Sequence, residues 1–164
     1  MDTVSSLSIV AELAKALTDR AWMLTTAESC TGGLIAAACT ELAGSSVWFD
    51  RGVVTYSNEA KVDLLGVPAE LIAEHGAVSE AVAKAMALGA LSHSRAQVAV
   101  AVTGVAGPGG GAPEKPVGTV WIAWAVSPSS AQAERHVFEG DRASVRAATV
   151  NCALKGLLDR SMGI

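Results

Sequence analysis

The order in which helical and extended patterns alternate constrains the fold of this chain more than any other feature. Leu7, Val10, Leu13 and Leu17 recur at helical spacing and predict a helix over residues 3–19. Residues 22–27 predict a short buried strand, Leu34 to Leu42 an alanine-rich helix closed at Gly44, and residues 47–56 a second strand. Asn58 is the expected cap of a short helix ending at Gly66, Pro68 opens another short helix, and Ser79 caps a longer one reaching Leu91. Residues 97–103 read as a strand, followed at 104–116 by a loop with five glycines and three prolines. Strands over 117–126 and 133–139 form a hairpin around residues 127–130, and Asp141 caps a last helix running to Asp159. This succession predicts an α/β fold: a three-layer α/β/α sandwich on a mixed, mostly parallel sheet, with antiparallel pairing late in the chain. No repeat or linker interrupts the 164 residues, so one domain over 1–164 is expected.

Composition narrows the class. Hydrophobic residues make up 51% and aromatic ones only 4%, so the core has to be built from Ala, Val, Leu and Ile. A net charge of −4 argues against a dedicated nucleic-acid binder, which needs clustered Lys and Arg. Three cysteines (Cys30, Cys39, Cys152) without a Cys-x-x-Cys pair argue against a disulfide framework and a structural zinc site. No stretch has the length and polarity of a membrane span or of a signal h-region. A reduced, soluble, cytoplasmic protein with no metal, cofactor or membrane partner is expected.

The sharpest local feature is Glu28-Ser29-Cys30-Thr31-Gly32-Gly33, set between a predicted strand and a predicted helix. A helix start offers free amides that favour negative charge, and Gly32 and Gly33 leave the backbone open to a ligand. Ser29 at this place is either an N-cap or a nucleophile whose oxyanion is held by amides from Thr31 to Gly33. Cys30 competes as nucleophile, or is a small buried hydrophobe.

A nucleophilic serine needs a base. His75, His93 and His136 all lie away from glycine-rich turns and strand ends. The alternative is Tyr56-Ser57-Asn58-Glu59-Ala60-Lys61, in which a strand end leads into a helix start facing the same crevice. A cation in the first turn of a helix is disfavoured by the dipole. With partial burial, that would lower the Lys61 pKa toward that of a useful base. A solvated lysine and a core tyrosine are the simpler alternative. The run from Thr103 and Gly104 through Gly107 to Gly111 can surround a phosphate or a planar ring, and matches neither a Walker A loop nor a dinucleotide fingerprint. Arg142 and Arg146 share one helix face and are suited to an anion. Asp50-Arg51 interrupts the second strand as an edge or an ion pair.

Taken in order, Ala27-Glu28-Ser29-Cys30-Thr31-Gly32-Gly33, the run from Gly52 to Lys61, Gly76-Ala77-Val78-Ser79, the run from Thr103 to Gly110, and the run from Lys115 to Val120 resemble the CinA C-terminal domain family. The resemblance spans nearly the whole chain. It implies the three-layer fold, a homo-oligomer, and hydrolysis of the carboxamide of nicotinamide mononucleotide to nicotinate mononucleotide and ammonia. It places a Ser-Tyr-Lys set on Ser29, Tyr56 and Lys61, and maps two further family residues to Thr103 and Arg142. The ribose-phosphate is expected at the glycine loop with Thr103 and Arg142. Any activity of the larger N-terminal domain of longer relatives is not carried over. Two other functions remain open: a non-catalytic nucleotide- or protein-binding module of the competence- or damage-inducible kind, and an amidase for another small amide.

Overall fold

A computed structural model describes residues 3–162, so the outermost residues of the domain read as 1–164 lie outside the described range. The sheet forms around two apolar strands, β1 (Leu24–Glu28) and β3 (Val98–Gly104), whose residues are buried almost throughout. Strands covered on both faces need apolar residues on both, and Val-Ala-Val-Ala-Val in β3 supplies them. Strand β2 (Phe49–Val54) pairs parallel to the other side of β1 and is far more exposed, as an edge strand can be. Strands β4 (Thr119–Ser127) and β5 (Ser130–Val137) extend the sheet antiparallel, giving the order β2-β1-β3-β4-β5. Strands β2, β1 and β3 run parallel and β4 runs against them, so the expected mixed sheet is found.

Helices α1 (Thr3–Arg20), α2 (Leu34–Thr40) and α6 (Arg142–Met162) cover one face. There Leu13, Leu17, Leu154 and Leu157 pack on Val98, Val100, Val102, Ile122 and Trp124. Helices α3 (Asn58–Leu65), α4 (Ala69–His75) and α5 (Glu80–Ser92) cover the other. That side is lined by Ala99, Ala101, Ala123 and Ala125, against which Val82, Met86 and Ala90 of α5 pack. Alternation along β3 and β4 thus sends large side chains to one helical layer and alanines to the other. Gly156 lets α6 lie against β4, because a Cβ there would run into the Trp124 indole.

Caps follow the sequence with one shift. Ser79 and Asp141 cap α5 and α6 through their side chains, accepting from Val82 N (3.3 Å) and Ser144 N (2.9 Å). The cap of α3 is Ser57, which accepts from Ala60 N at 3.0 Å, and not Asn58, which is the first helical residue. Among the described residues no helix is long and apolar enough to cross a membrane.

The chain leaves β1 through α2 on one face and reaches β2. It then returns through α3 to α5 on the opposite face and reaches β3 on the other side of β1. The connections therefore diverge at the carboxyl end of β1, which is where open α/β sheets form their crevice.

Candidate active site

Register brings the site together. Glu28 pairs with Val54 on one side and Val102 on the other, so the next residues, Ser29, Thr55 and Thr103, emerge abreast. Two main-chain bonds carry the sheet one step further: Ser29 N–H donates to the Val102 carbonyl (3.1 Å) and Thr55 N–H to the Glu28 carbonyl (2.8 Å).

Lys61, in the first turn of α3, is only 1% exposed. Its Nζ lies 3.3 Å from Ser29 Oγ, donates to the Thr55 carbonyl at 2.8 Å, and makes longer contacts to the carbonyls of Tyr56 (3.4 Å) and Ser57 (3.5 Å). Burial pushes its pKa below the ordinary lysine value; desolvation, and not the helix dipole of the sequence argument, is the main cause. No carboxylate approaches Nζ among the described residues. A neutral amine has one lone pair to turn on a hydroxyl, and Ser29 Oγ is the hydroxyl in reach.

The tyrosine departs from the sequence reading. Tyr56 is 59% exposed, so it is no core residue, and its hydroxyl accepts from Arg142 Nη2 at 3.0 Å. No hydrogen bond joins that hydroxyl to Ser29 or Lys61 among the described residues. Arg142 Nη1 donates to the Gly107 carbonyl at 2.9 Å, so this guanidinium ties the glycine loop to the strand end across the cleft. Thr103 is buried, and its hydroxyl donates to the Ala77 carbonyl at 3.0 Å, which anchors the segment before α5. Gly104 has no room for a Cβ, which would crowd Val120. These groups enclose a cleft of about 300 Å³ whose wall includes Ser29, Tyr56, Lys61, Thr103, Gly107 and Arg142. Cys30 also lines it, as do other residues of the glycine loop and Asn58, Ala77 and Val78; those last three carry no binding role in the sequence analysis.

Thr31, Gly32 and Gly33 are not part of the cleft wall. Nor is Ser29 a cap: α2 begins five residues later, and its N-cap is Gly33 at φ 107°, a left-handed conformation open to glycine. The amides at the start of α2 are not free for a ligand either. The Glu28 carboxylate, buried, accepts from Ile35 N (2.9 Å), Ala36 N (3.1 Å) and Thr31 Oγ1 (2.5 Å). Sequence reasoning passed over Glu28. The signal was present: a carboxylate at the end of a strand buried on both faces has to find donors.

Within the turn, Gly32 N–H donates to the Ser29 carbonyl at 3.0 Å, which removes it from the expected oxyanion set. The Cys30 and Thr31 amides have no acceptor on another residue among the described residues. Cys30 is buried beside Ser29, and burial pushes its thiol up to about 11, so it is a protonated hydrophobe and a poor nucleophile. The histidines are elsewhere: His93 contacts the Gly89 carbonyl, His136 lies by Glu134, and His75 is beside Glu74. Arg146 does not join Arg142 in the cleft; it bonds the Cys30 and Thr31 carbonyls instead. Among the described residues no group of three His, Cys, Asp or Glu is placed to hold a metal ion.

A doubly covered mixed sheet, with a serine and a buried lysine meeting at its switch point, defines the class of α/β protein to which this chain conforms. More specifically, the chain belongs to the CinA C-terminal domain family, whose model matches residues 6–161. It is similar to a nicotinamide-nucleotide amidohydrolase PncC of Escherichia coli K12, at 52% identity over 146 residues, 89% of this chain and 88% of the relative. A protein of the same name from Pseudomonas putida is 58% identical over 135 residues, 82% of this chain and 84% of the relative. Among solved structures, the competence/damage inducible protein CihA from Agrobacterium tumefaciens matches with a TM-score of 0.91 at 48% identity, over 94% of both chains.

Proposed function

We propose that this protein hydrolyses the carboxamide of nicotinamide mononucleotide, giving nicotinate mononucleotide and ammonia, with Ser29 as nucleophile and Lys61 as its base. The observation that carries the chemistry is the buried Lys61 amine 3.3 Å from Ser29 Oγ, with its pKa lowered by burial. The substrate class comes from the relatives named nicotinamide-nucleotide amidohydrolase at 52% and 58% identity.

The steps balance as follows. Ser29 Oγ bonds to the carboxamide carbon while its proton passes to the Lys61 lone pair. The transfer is direct, because the Tyr56 hydroxyl is held by Arg142. A contact of 3.3 Å is long for this hydrogen bond, and such contacts tighten when substrate fills the site. Negative charge on the former carbonyl oxygen is met by the Cys30 amide, whose residue lines the cleft beside Ser29. The Lys61 ammonium then returns the proton to the leaving nitrogen, ammonia departs, and an acyl ester on Ser29 remains. Water adds to the ester with Lys61 again accepting a proton, and collapse releases nicotinate mononucleotide and restores the Ser29 hydroxyl.

Arg142 keeps donors beyond those it shares with Gly107 and Tyr56, and the glycine loop presents amides beside it; together they suit the phosphate. The exposed Tyr56 ring, steadied by Arg142, offers a face to the nicotinamide ring. Assembly as a homo-oligomer belongs to the same reading, and light scattering of the purified protein tests it. The function is tested by incubating the protein with nicotinamide mononucleotide and measuring ammonia, for wild type and Ser29→Ala. Wild-type turnover abolished in the variant is the expected result. Equal turnover in both would remove Ser29 as nucleophile, and nucleotide binding without turnover in the wild type would favour a binding module.

A further inference from the structure

The turn that follows Ser29 is held from outside the cleft. Arg146, one helical turn beyond Arg142 on α6, donates from Nε to the Cys30 carbonyl (3.2 Å) and from Nη2 to the Thr31 carbonyl (3.3 Å). The Thr31 carbonyl also accepts from Leu34 N at 3.1 Å, and the Thr31 hydroxyl is tied to Glu28. The turn is therefore gripped by a carboxylate at one point and a guanidinium at another. The forked guanidinium suits this role, because two of its donors can meet two successive carbonyls at once.

These contacts decide which amides stay open. In a trans peptide the N–H points opposite to its C=O. Holding the Cys30 carbonyl on Arg146 therefore turns Thr31 N–H away from α6. Holding the Ser29 carbonyl on Gly32 N–H likewise fixes Cys30 N–H. From Ser29 to Gly32, the amides of Cys30 and Thr31 have no acceptor on another residue among the described residues; Cys30 lines the cleft, whereas Thr31 is fully buried. Among the described residues no other side-chain donor meets the Cys30 carbonyl. Without Arg146 the turn loses its hold on two successive carbonyls, and the Cys30 amide, which must be in place before charge develops, is less firmly fixed.

We propose that Arg146 is a positioning residue for amide hydrolysis: by holding the Cys30 and Thr31 carbonyls it fixes the turn after Ser29, so that the oxyanion formed at Ser29 meets a preset Cys30 amide. The inference rests on the reading of Ser29 as nucleophile. Arg146 acts through the backbone and does not touch substrate, since the cleft wall contains Arg142 and not Arg146. Arg146 instead lines a separate groove of about 320 Å³ between α1, α2 and α6, bordered by Leu7, Leu34, Ala143 and Ala147. Truncating the side chain would open a space there that a free guanidinium ion can enter from solvent.

The experiment uses the full-length protein with Arg146→Ala and Arg146→Lys, and two readouts. One is steady-state ammonia release from nicotinamide mononucleotide. The other is the rate at which Ser29 is phosphonylated by a fluorophosphonate, followed by intact mass; it needs the nucleophile and its oxyanion donors but not the natural substrate. Arg146→Ala is expected to lower kcat and the labelling rate by about tenfold to a hundredfold, the scale of a misplaced or lost oxyanion donor. KM should stay near wild type, because the cleft is intact. Guanidinium chloride at low millimolar concentration should recover part of both rates in Arg146→Ala and none in wild type. Arg146→Lys, with a single compact charge in place of the fork, should fall between wild type and Arg146→Ala. Unchanged rates in a folded Arg146→Ala would overturn the proposal, as would a loss that appears mainly in KM or is not recovered by guanidinium. If Arg146→Ala does not fold, Arg146→Lys at wild-type rates overturns it. A wild type that is labelled at Ser29 yet releases no ammonia refutes the substrate and leaves the role of Arg146 to the labelling rates. A wild type that is not labelled refutes both.

Discussion

The buried amine of Lys61 links pH to stability and to turnover. Lys61 is 1% exposed, and burial holds its pKa below the ordinary 10.5 that it regains in the unfolded chain. Below the lowered pKa both states carry the proton, and the native state bears the full penalty of a buried ammonium. Between the lowered pKa and 10.5 the unfolded chain binds one proton that the native state has released. Stability from this group therefore rises with pH in that window, by at most about 1.4 kcal/mol per pH unit. Above 10.5 both states are neutral and the gain ends. The perturbation is Lys61→Met, which keeps an unbranched stem in the same space and removes the titrating group. It also leaves the Thr55 carbonyl without its donor, a cost of about 1–3 kcal/mol that does not depend on pH and so drops out of the slope. Cys30, the titrating neighbour that acts on Lys61, ionises only at about 11. Urea unfolding of both proteins at stepped pH, followed by tryptophan fluorescence, gives the difference in stability. It should be flat at low pH and then climb in favour of the wild type. In the wild type, kcat/KM for ammonia release should rise through the same ionisation, as the free amine replaces the ammonium. A difference curve without slope anywhere below pH 10.5 would mean that Lys61 keeps an ordinary pKa, and the base would have to be sought elsewhere.

Other substitutions separate the remaining roles. Ser29→Ala should reduce ammonia release by at least about a thousandfold, whereas Cys30→Ala should stay within about threefold of wild type, since a buried protonated thiol is a poor nucleophile. Equal losses in steady-state assays of the two would reassign the nucleophile. Arg142→Lys, which loses the forked guanidinium, should raise KM for the mononucleotide by about tenfold to a hundredfold, the value of one to two charge-assisted bonds. Free nicotinamide, lacking the phosphate, should respond much less. Glu28→Ala leaves the Thr31 hydroxyl and two helix-start amides without their acceptor. It should cost about 3 kcal/mol or more, lowering the thermal midpoint by roughly 6–12 °C in calorimetry.

The layers of the fold were legible because the central strands and the long helices carry strong apolar periodicity. Weakly patterned elements were placed less well. Strand β5 begins at Ser130, three residues before the predicted start, because its outward residues are Ser, Gln and Glu on an exposed edge and give little apolar signal. Caps shifted by one residue at Ser57, where two adjacent polar residues compete for the same role. In the site, strand ends mark where a crevice opens, and Ser29, Tyr56, Lys61, Thr103, Gly107 and Arg142 are brought to it. The destination of each polar head was not legible, since it depends on partners distant in sequence. Tyr56 turns outward to Arg142, 86 positions away, and Arg146 reaches back 116 positions to Cys30. A helix starting at Ser29 would bring the amides of Thr31, Gly32 and Gly33 to the cleft. The intervening turn moves the helix start away, and Glu28 occupies it.

The least conspicuous determinant of the site lies at the other end of β2. Leu24 pairs with Phe49, but Thr25 pairs with Arg51, so Asp50 is left over in the ladder. An extra residue shifts every later partner by one, and a one-residue shift exchanges the two faces of a strand. With Asp50 accommodated, Glu28 meets Val54, and Thr55 follows with its amide on the Glu28 carbonyl and its carbonyl on Lys61 Nζ. In an unbroken register from the Leu24–Phe49 pair, Glu28 would meet Val53, one residue earlier, and Thr55 would no longer stand next to Ser29. Asp50 is itself fixed where it falls, accepting from Arg95 N at 3.0 Å and from Arg51 Nε at 2.8 Å. The Asp50-Arg51 pair, read from sequence as an edge or an ion pair, thus anchors the irregularity that sets the distance between Ser29 and Lys61. A serine–lysine pair has no third side chain to correct its geometry. It depends on the sheet for alignment, and that alignment is set by the main-chain bonds that join β1 to β2 and β3.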